Sequence, residues 1–368
     1  MRPQNDQQRM LADTARQFAQ GNCTSARIRA CRNITPDFDA NIWTEMAALG
    51  WLSVLVPEAD GGLGIGLSEM GQLVYEWGAG AGPEPLVAAG VLAMTMLVES
   101  DGPARTTLLN EAVYGSAVPA LAWLDEGAQC VKQVDGWVVR GNARFTTPAD
   151  ATDFLLVFTQ TSGLPALQIS SSAPGLMVQR EMRCDGTSSA WLHLNDVAVS
   201  ESSMLGPPAK AWAAAEKARD FALIMAAISM TGTMRTINTL TQDYLRTRMQ
   251  FGKAIGSFQA LQHKAVDMHI AEQMARDVAQ HACTKVDAGC TPNERACYAS
   301  RAKARAGDAL DRIARMAVQL HGAIGFTDEY DLSLHLNRAL TFSAWLGNSD
   351  EHVSRYAHHA APFEAAQA

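Results

Sequence analysis

The pattern of apolar positions changes period twice along the chain. Near the start it is helical: residues 8–19 put Leu11, Ala15 and Phe18 on one face, and a second segment from Asp39 to Leu49 stops at Gly50. Pro57 and the glycines at 61, 62, 64 and 66 break the pattern. Ser68-Glu69 then open a helix to about Trp77, and 78–85 (GAGAGPEP) reads as a loop. Residues 86–100 and 104–113 predict two more helices. From 119 the runs become short and β-rich. Two of them flank Asp135-Gly136, a hairpin signal, and others begin at Asp153, Pro165, Leu176 and Ser189. Five to seven strands at this spacing predict a small barrel or sandwich. After about 205 the helical period returns, with Phe221, Ile224, Met225, Ile228, Met234, Ile237, Leu240 and Tyr244 on one stripe. Further helices are predicted over 258–285, 293–320 and 332–346, with a short one after Asp350. Short joints between long amphipathic helices give an antiparallel bundle. The expectation is an α+β chain: an N-terminal helical domain (1–118), a middle β domain (119–204) and a C-terminal four-helix bundle (205–368).

Composition narrows the class. The 368 residues are 48% hydrophobic and 18% charged, enough apolar side chain for a large core. At about 150 residues per domain the length suggests two to three domains. The net charge of -8 argues against a nucleic-acid partner. Seven cysteines at 23, 31, 130, 184, 283, 290 and 297 are odd in number and lack CxxC spacing, which disfavours a disulfide framework and a zinc site. The first ten residues lack the apolar core of a signal peptide, and no apolar run reaches the ~18 residues of a membrane span. A soluble, cytoplasmic protein without membrane partners is expected.

Three motifs carry chemistry. Arg248-Met249-Gln250-Phe251-Gly252 is followed by Ile255, then Phe258-Gln259. Gln319-Leu320-His321-Gly322 leads into Gly325-Phe326-Thr327. Gly50-Trp51-Leu52 precedes Val56-Pro57-Glu58 and Gly61-Gly62-Leu63-Gly64. In order and spacing these resemble the acyl-CoA dehydrogenase family over nearly the whole chain. The wording around 319–338 is most like the branch found in bacterial steroid, aromatic and related acyl-CoA catabolism. The resemblance implies a non-covalent FAD and α,β-desaturation of an acyl-CoA thioester, in which a carboxylate removes the α-proton and a hydride passes from the β-carbon to the flavin. It also implies that Arg248, Phe251, Gln259, Gln319 and Gly322 reach the ADP half of a flavin bound mainly by a neighbouring subunit, and that Gln250, Ile255 and Phe258 belong to the cofactor-binding set. A guanidinium fork suits a pyrophosphate, and a glycine turn lets backbone N–H groups come close to phosphate or adenine.

The chain departs from the family where the chemistry is done. The family's catalytic glutamate stands at one of two positions, which here hold Ala222 and Leu346; neither side chain can take a proton. Asp220 is about 200° around the helix from Ala222, and Asp350 is four residues past Leu346. Both are expected to be solvated surface acids. The family's Gly-Ser-Asp flavin loop is missing from 120–128. Its Trp-Ile-Thr-Asn element is replaced by Phe145-Thr146-Thr147-Pro148, in which Phe145 keeps an aromatic face, Thr147 keeps one hydroxyl, and Pro148 loses a backbone donor.

Ring-contacting and catalytic residues are eroded while the residues facing a neighbour's ADP half are kept. That asymmetry suggests a half-site subunit of an α2β2 heteromer that shares FAD with a second acyl-CoA dehydrogenase-like subunit. Three alternatives remain: a self-sufficient dehydrogenase with a displaced base, a flavin-containing eliminase without net oxidation, and a binding or scaffold subunit. His321 is expected to pack rather than to act as a base. His263 and His269, six residues apart, lack the spacing of a helix-borne metal pair. The methionines at 225, 230 and 234 read as core filling.

Overall fold

The computed structural model describes residues 1–32, 34–158 and 163–365, and these form two compact units. One comprises Met1–Ala30, Leu67–Gly82 and Leu223–Ala368; the other comprises Cys31–Gly66 and Pro83–Ala222. Each unit draws on more than one of the three sequence stretches.

In the first unit, α1 (Asp6–Asn22) starts at Asn5, whose side chain accepts from the Gln8 N–H. A short helix, α2 (Ser25–Cys31), follows; its seven residues are too few to show a period. The next helix of this unit in sequence is α4 (Leu67–Ala79). Its cap comes from far away: both Asp287 carboxylate oxygens accept, from the N–H groups of Leu67 and Ser68, at 2.8 Å. The long helices are α7 (Pro208–Thr247, shared by both units), α8 (Gln259–Asp287) and α9 (Pro292–His321). α9 opens on a capping box between Thr291 and Glu294, with Pro292 in its first turn. α10 (Leu332–Ala344) and α11 (Ser349–Ala365) complete the unit. The helices fall close to the expected spans, but only three are long. Where α4 crosses α7 the backbones nearly touch. A Cβ on Gly232 would lie 2.1 Å from the Tyr75 carbonyl, and Thr233 Oγ1 donates to the Gly78 carbonyl at 3.0 Å. Met225, Met230 and Met234 are buried in the core, as their spacing suggested.

His335 on α10 is 7% exposed, and its Nδ1 has no hydrogen-bond partner among the described residues. Burial lowers its pKa from 6.5 to about 4, against Asp331, which raises it. Between those two values the unfolded chain takes up a proton that the folded chain refuses. Stability is therefore whole above pH 6.5 and falls as pH drops toward 4, by up to about 3 kcal/mol. Urea midpoints at pH 7 and pH 4.5 should show this loss, and His335→Leu should flatten it. An equally steep loss in the variant would place the acid sensitivity elsewhere.

The second unit holds α3 (Ala40–Ala48), capped by Asp39, followed by a π-helical turn over Ala88–Ala93 that runs into α5 (Met94–Val98), and then α6 (Arg105–Val113). The expected regular helix over 86–100 is therefore widened in its first half. Leu92 N–H donates to the Val87 carbonyl, five residues back, and Gly90 lets Leu52 and Leu86 lie close against the backbone. Among the described residues eight strands follow: β1 (Pro119–Trp123), β2 (Gln129–Gln133), β3 (Gly136–Thr146), β4 (Asp153–Val157), β5 (Ala166–Ser170), β6 (Leu176–Met182), β7 (Ser188–Ser200) and β8 (Met204–Gly206). They form two four-stranded sheets, ordered β1-β4-β5-β8 and β2-β3-β7-β6. β1 and β4 run parallel, whereas β2 and β3 form the hairpin expected at Asp135-Gly136. Phe154, Leu156, Leu167, Leu192, Leu194 and Val197 fill one core shared by the two sheets. The count exceeds the expected five to seven because β8 is too short to show alternation. The run starting at Asp153 extends in sequence to Gln160; residues 159–162 lie outside the described residues.

Candidate functional site

Most of the motif residues fall on three adjoining pieces of the first unit. α7 ends at Thr247, and Arg248 leads into a tight hairpin, β9 (Met249–Gln250) against β10 (Lys253–Ala254). Phe251 sits at its tip with φ 52° and 90% of its surface exposed. A left-handed backbone is costly for a non-glycine residue, and Gly252 beside it continues the turn at φ 76°. The hairpin is pinned at its root, where the Ile255 N–H donates to the Arg248 carbonyl at 2.9 Å. Phe258 meets Phe251 edge-on at 6.0 Å, and Lys253 Nζ lies 4.3 Å over the Phe258 ring. Gln259 is the first residue of α8 and is exposed. Five residues on, Lys264 Nζ donates to Gln319 Oε1 at 3.2 Å, joining α8 to the last turn of α9. Gly322 ends α9 at φ 68°, with nothing within 4 Å of where a Cβ would lie. Gln319, Gly322 and Phe326 line a cavity of about 890 Å3 whose other wall includes Leu336, Asn337 and Leu340 of α10.

This face exposes a guanidinium, amide donors and an aromatic ring. Arg248, Gln250 and Gln259 are exposed, and among the described residues none of their side chains is held by an internal hydrogen bond or ion pair. A free guanidinium, two free amides, an upright phenyl ring and an open glycine turn fit the pyrophosphate and adenosine of FAD. Ile255 and Phe258 are half-buried and support the hairpin.

Phe145 and Thr147 lie in the second unit. Phe145 has φ 58° and is 70% exposed, at a bulge in the β3–β7 pairing. Thr147 is buried, and its hydroxyl donates to the Phe145 carbonyl at 3.2 Å; the Thr147–Pro148 peptide is cis. The Thr147 O–H is thus already directed at the chain's own backbone. These residues fit an isoalloxazine less well than the α8–α9 face fits an ADP half.

Neither position itself holds a carboxylate, although Glu351 reaches the turn after Leu346, where its Oε2 accepts from the Asn348 N–H at 3.2 Å. Ala222 is fully buried on α7. Leu346 has φ 58° in the turn between α10 and α11, and its carbonyl accepts from His352 Nε2 at 3.0 Å. Lys303, 1% exposed, ties down the same turn by donating to the carbonyls of Ser343 at 3.1 Å and Gly347 at 2.7 Å. Burial lowers the pKa of Lys303 to about 8. Asp350 is exposed, as expected. Asp220 is not: only 1% of it is exposed, on the covered side of α7, while Glu216, Lys217, Arg219 and Phe221 around it stay half-buried. The expectation of a solvated acid is corrected there. Lys303 and the Asp287 cap carry no signal in local sequence, since each acts on backbone tens to hundreds of residues away.

His321 packs, with its ring stacked on Tyr244 at 4.5 Å. His263 and His269 are exposed on α8, and among the described residues no three His, Cys, Asp or Glu side chains cluster as a metal site. No helix among the described residues is long and apolar enough to cross a membrane.

In sequence order, helices, two β-sheets and a long-helix region define an α+β fold class. Two family models match: acyl-CoA dehydrogenase, N-terminal domain, over 5–103, and acyl-CoA dehydrogenase, C-terminal domain, over 211–360. The chain belongs to the acyl-CoA dehydrogenase family. It is 28% identical to the acyl-CoA dehydrogenase IpdE2 of Mycobacterium tuberculosis, over 91% of each chain. It is 24% identical to a mitochondrial isovaleryl-CoA dehydrogenase of Solanum tuberosum, over 94% of this chain and 88% of the relative. Among solved structures it resembles a variant of the Tcur3481-Tcur3483 steroid ACAD, with a TM-score of 0.87 and 27% identity over 97% of this chain and 98% of that one. The ChsE4-ChsE5 complex from Mycobacterium tuberculosis shares the fold, with a TM-score of 0.88 and 22% identity over 98% of both chains.

Proposed function

We propose that this chain is the half-site subunit of a heteromeric, FAD-dependent acyl-CoA dehydrogenase in the steroid-degrading branch. The observation that carries the reading is a mismatch within one molecule. The α8–α9 face is open and equipped for an ADP moiety, while Ala222 and Leu346 leave both base positions without a carboxylate. Arg248 would hold the pyrophosphate, Gln259 and Gln319 would donate amide hydrogen bonds, Phe251 would pack on a ring, and the Gly322 turn would present backbone N–H groups. When bound, the flavin supplies the hydride acceptor. The partner subunit would bring the base and the rest of the flavin and thioester site. Two named relatives lend support, since one is described as a steroid ACAD and the other as a complex of two different chains. An α2β2 assembly in the cytoplasm, acting on a ring-bearing acyl-CoA, fits this reading.

The test is co-expression with an acyl-CoA dehydrogenase-like partner. One FAD per two chains is expected in the purified complex, and one tightly held FAD per chain in this subunit alone would overturn the reading. Within the complex, Arg248→Ala should weaken FAD binding by about 10–100-fold, the cost of a charge-assisted hydrogen-bond pair, as read from flavin fluorescence on titration.

A further inference from the structure

We propose that His321 is a positioning residue for dinucleotide recognition, holding the Arg248 hairpin and the Gly322 turn in one frame through an aromatic stack with Tyr244 and Tyr330. This rests on the half-site reading and adds to it a residue that would touch neither flavin nor thioester.

The connections are short on both sides. Tyr244 lies on the last turn of α7, and its carbonyl accepts the Arg248 N–H at 2.9 Å, so the hairpin is rooted on this residue. His321 is the last residue of α9, directly before Gly322. The two rings lie 4.5 Å apart and 28° from parallel. Tyr330, from the turn before α10, joins them at 5.2 Å from His321 and 6.4 Å from Tyr244. A single three-ring contact therefore joins the ends of two helices that carry separate parts of the proposed ADP face.

A histidine suits this place for two reasons. Its ring is flat and small enough to lie against Tyr244, and Nδ1 sits 2.8 Å from the Ala317 carbonyl, which sets the rotation of the ring on its own helix. Since a carbonyl only accepts, the neutral ring carries its proton on Nδ1, and Nε2 is buried without a hydrogen-bond partner among the described residues. The residue is 3% exposed, and burial lowers its pKa against the pull of the Ala317 and Leu240 carbonyls. A neutral ring at neutral pH keeps the stack without burying a charge. The contact lies at the end of the helices, beyond the buried stripe of Met234, Ile237, Leu310 and Ile313. Its loss should loosen the face more than it loosens the bundle.

The experiment uses the complex with the partner subunit and three probes: FAD, ADP and FMN, the last lacking the adenosine half. His321→Ala and Tyr330→Ala should each weaken FAD and ADP by about tenfold, leave FMN binding unchanged, and leave the assembly intact by size-exclusion chromatography. Tyr330 is half-exposed, so its variant keeps the test open if His321→Ala does not fold. His321→Phe, which keeps a ring against Tyr244, should recover most of the affinity. Equal losses for ADP and FMN, or no recovery by His321→Phe, would overturn the positioning role. Arg248→Ala separates the two levels. If it leaves ADP affinity unchanged, the half-site reading fails; if it weakens ADP while both ring variants do not, only the positioning inference fails.

Discussion

Purified without a partner, the chain is expected to oxidise acyl-CoA thioesters about 10²–10⁴-fold more slowly than an assembly that contains a carboxylate base, the range over which a positioned base accelerates proton transfer. The expectation follows from side chains rather than from the fold. The turn that would carry the base is built: Lys303 and His352 hold the carbonyls of Ser343, Leu346 and Gly347. Leu346 even occupies a left-handed backbone, at φ 58°, that costs a branched residue on the order of 1 kcal/mol. At position 346 the turn presents an isobutyl group, which takes no proton, and the Glu351 carboxylate beside it is engaged by the Asn348 N–H. The measurement is anaerobic flavin bleaching by an acyl-CoA with FAD supplied, for the chain alone and for the complex. Rapid, complete bleaching by the chain alone would show that it carries its own base. Asp220→Asn would then be the first variant to make, since that carboxyl is buried on α7, whereas Asp350 faces solvent.

The architecture was legible because long-period signals are local. The α7, α8 and α9 stripes repeat over 29–40 residues, and the Asp135-Gly136 hairpin states its own turn. The motif residues were legible for a related reason. Arg248 through Gln259 and Gln319 through Gly322 are contiguous runs, of which Arg248, Gln250, Gln259, Gln319 and Gly322 are exposed while Leu320 and His321 are buried. Other features were hidden because they depend on distant partners. The π-helical turn at Ala88–Ala93 is a packing response to Leu52 and Leu86 around Gly90. The burial of Asp220 reflects what covers α7, which its own helical position does not reveal. Lys303 reads as an ordinary charge within an alanine-rich helix, yet it is 1% exposed and serves carbonyls 40 and 44 residues away. The shared principle is that local sequence records period and turn chemistry, while burial and capping across elements are set by the assembled fold.

Glu76→Ala is expected to destabilise the chain by about 3 kcal/mol or more, the low end of the cost of removing one partner from a buried ion pair. Glu76 on α4 is 3% exposed and accepts from three nitrogens: two from Arg235 of α7, at 2.6 and 3.0 Å, and one from Arg16 of α1, at 3.2 Å. Arg235 also lies 4.6 Å over the Tyr75 ring, so it is held between a carboxylate and a π face. Three helices of the first unit meet at this carboxylate, beside the glycine crossing of α4 and α7. Without it Arg235 loses its hydrogen-bonded counter-charge and keeps only the more distant pull of Glu272, and only a third of its side chain reaches water to compensate. Burial alone would raise the Glu76 pKa, but the two guanidinium groups outweigh it and hold the value below the ordinary glutamate range. The stabilisation is therefore complete above the unfolded value of about 4.3 and is lost as pH falls through the lower folded value. This window lies below most of the one for His335, so the two contributions separate in a pH series. Urea unfolding at pH 7 measures the cost directly. The double variant Glu76→Ala with Arg235→Ala should recover part of it, because the stranded charge is then gone. A Glu76→Ala cost below about 1 kcal/mol would mean that Arg235 escapes to solvent and that the pair is a surface contact in all but geometry.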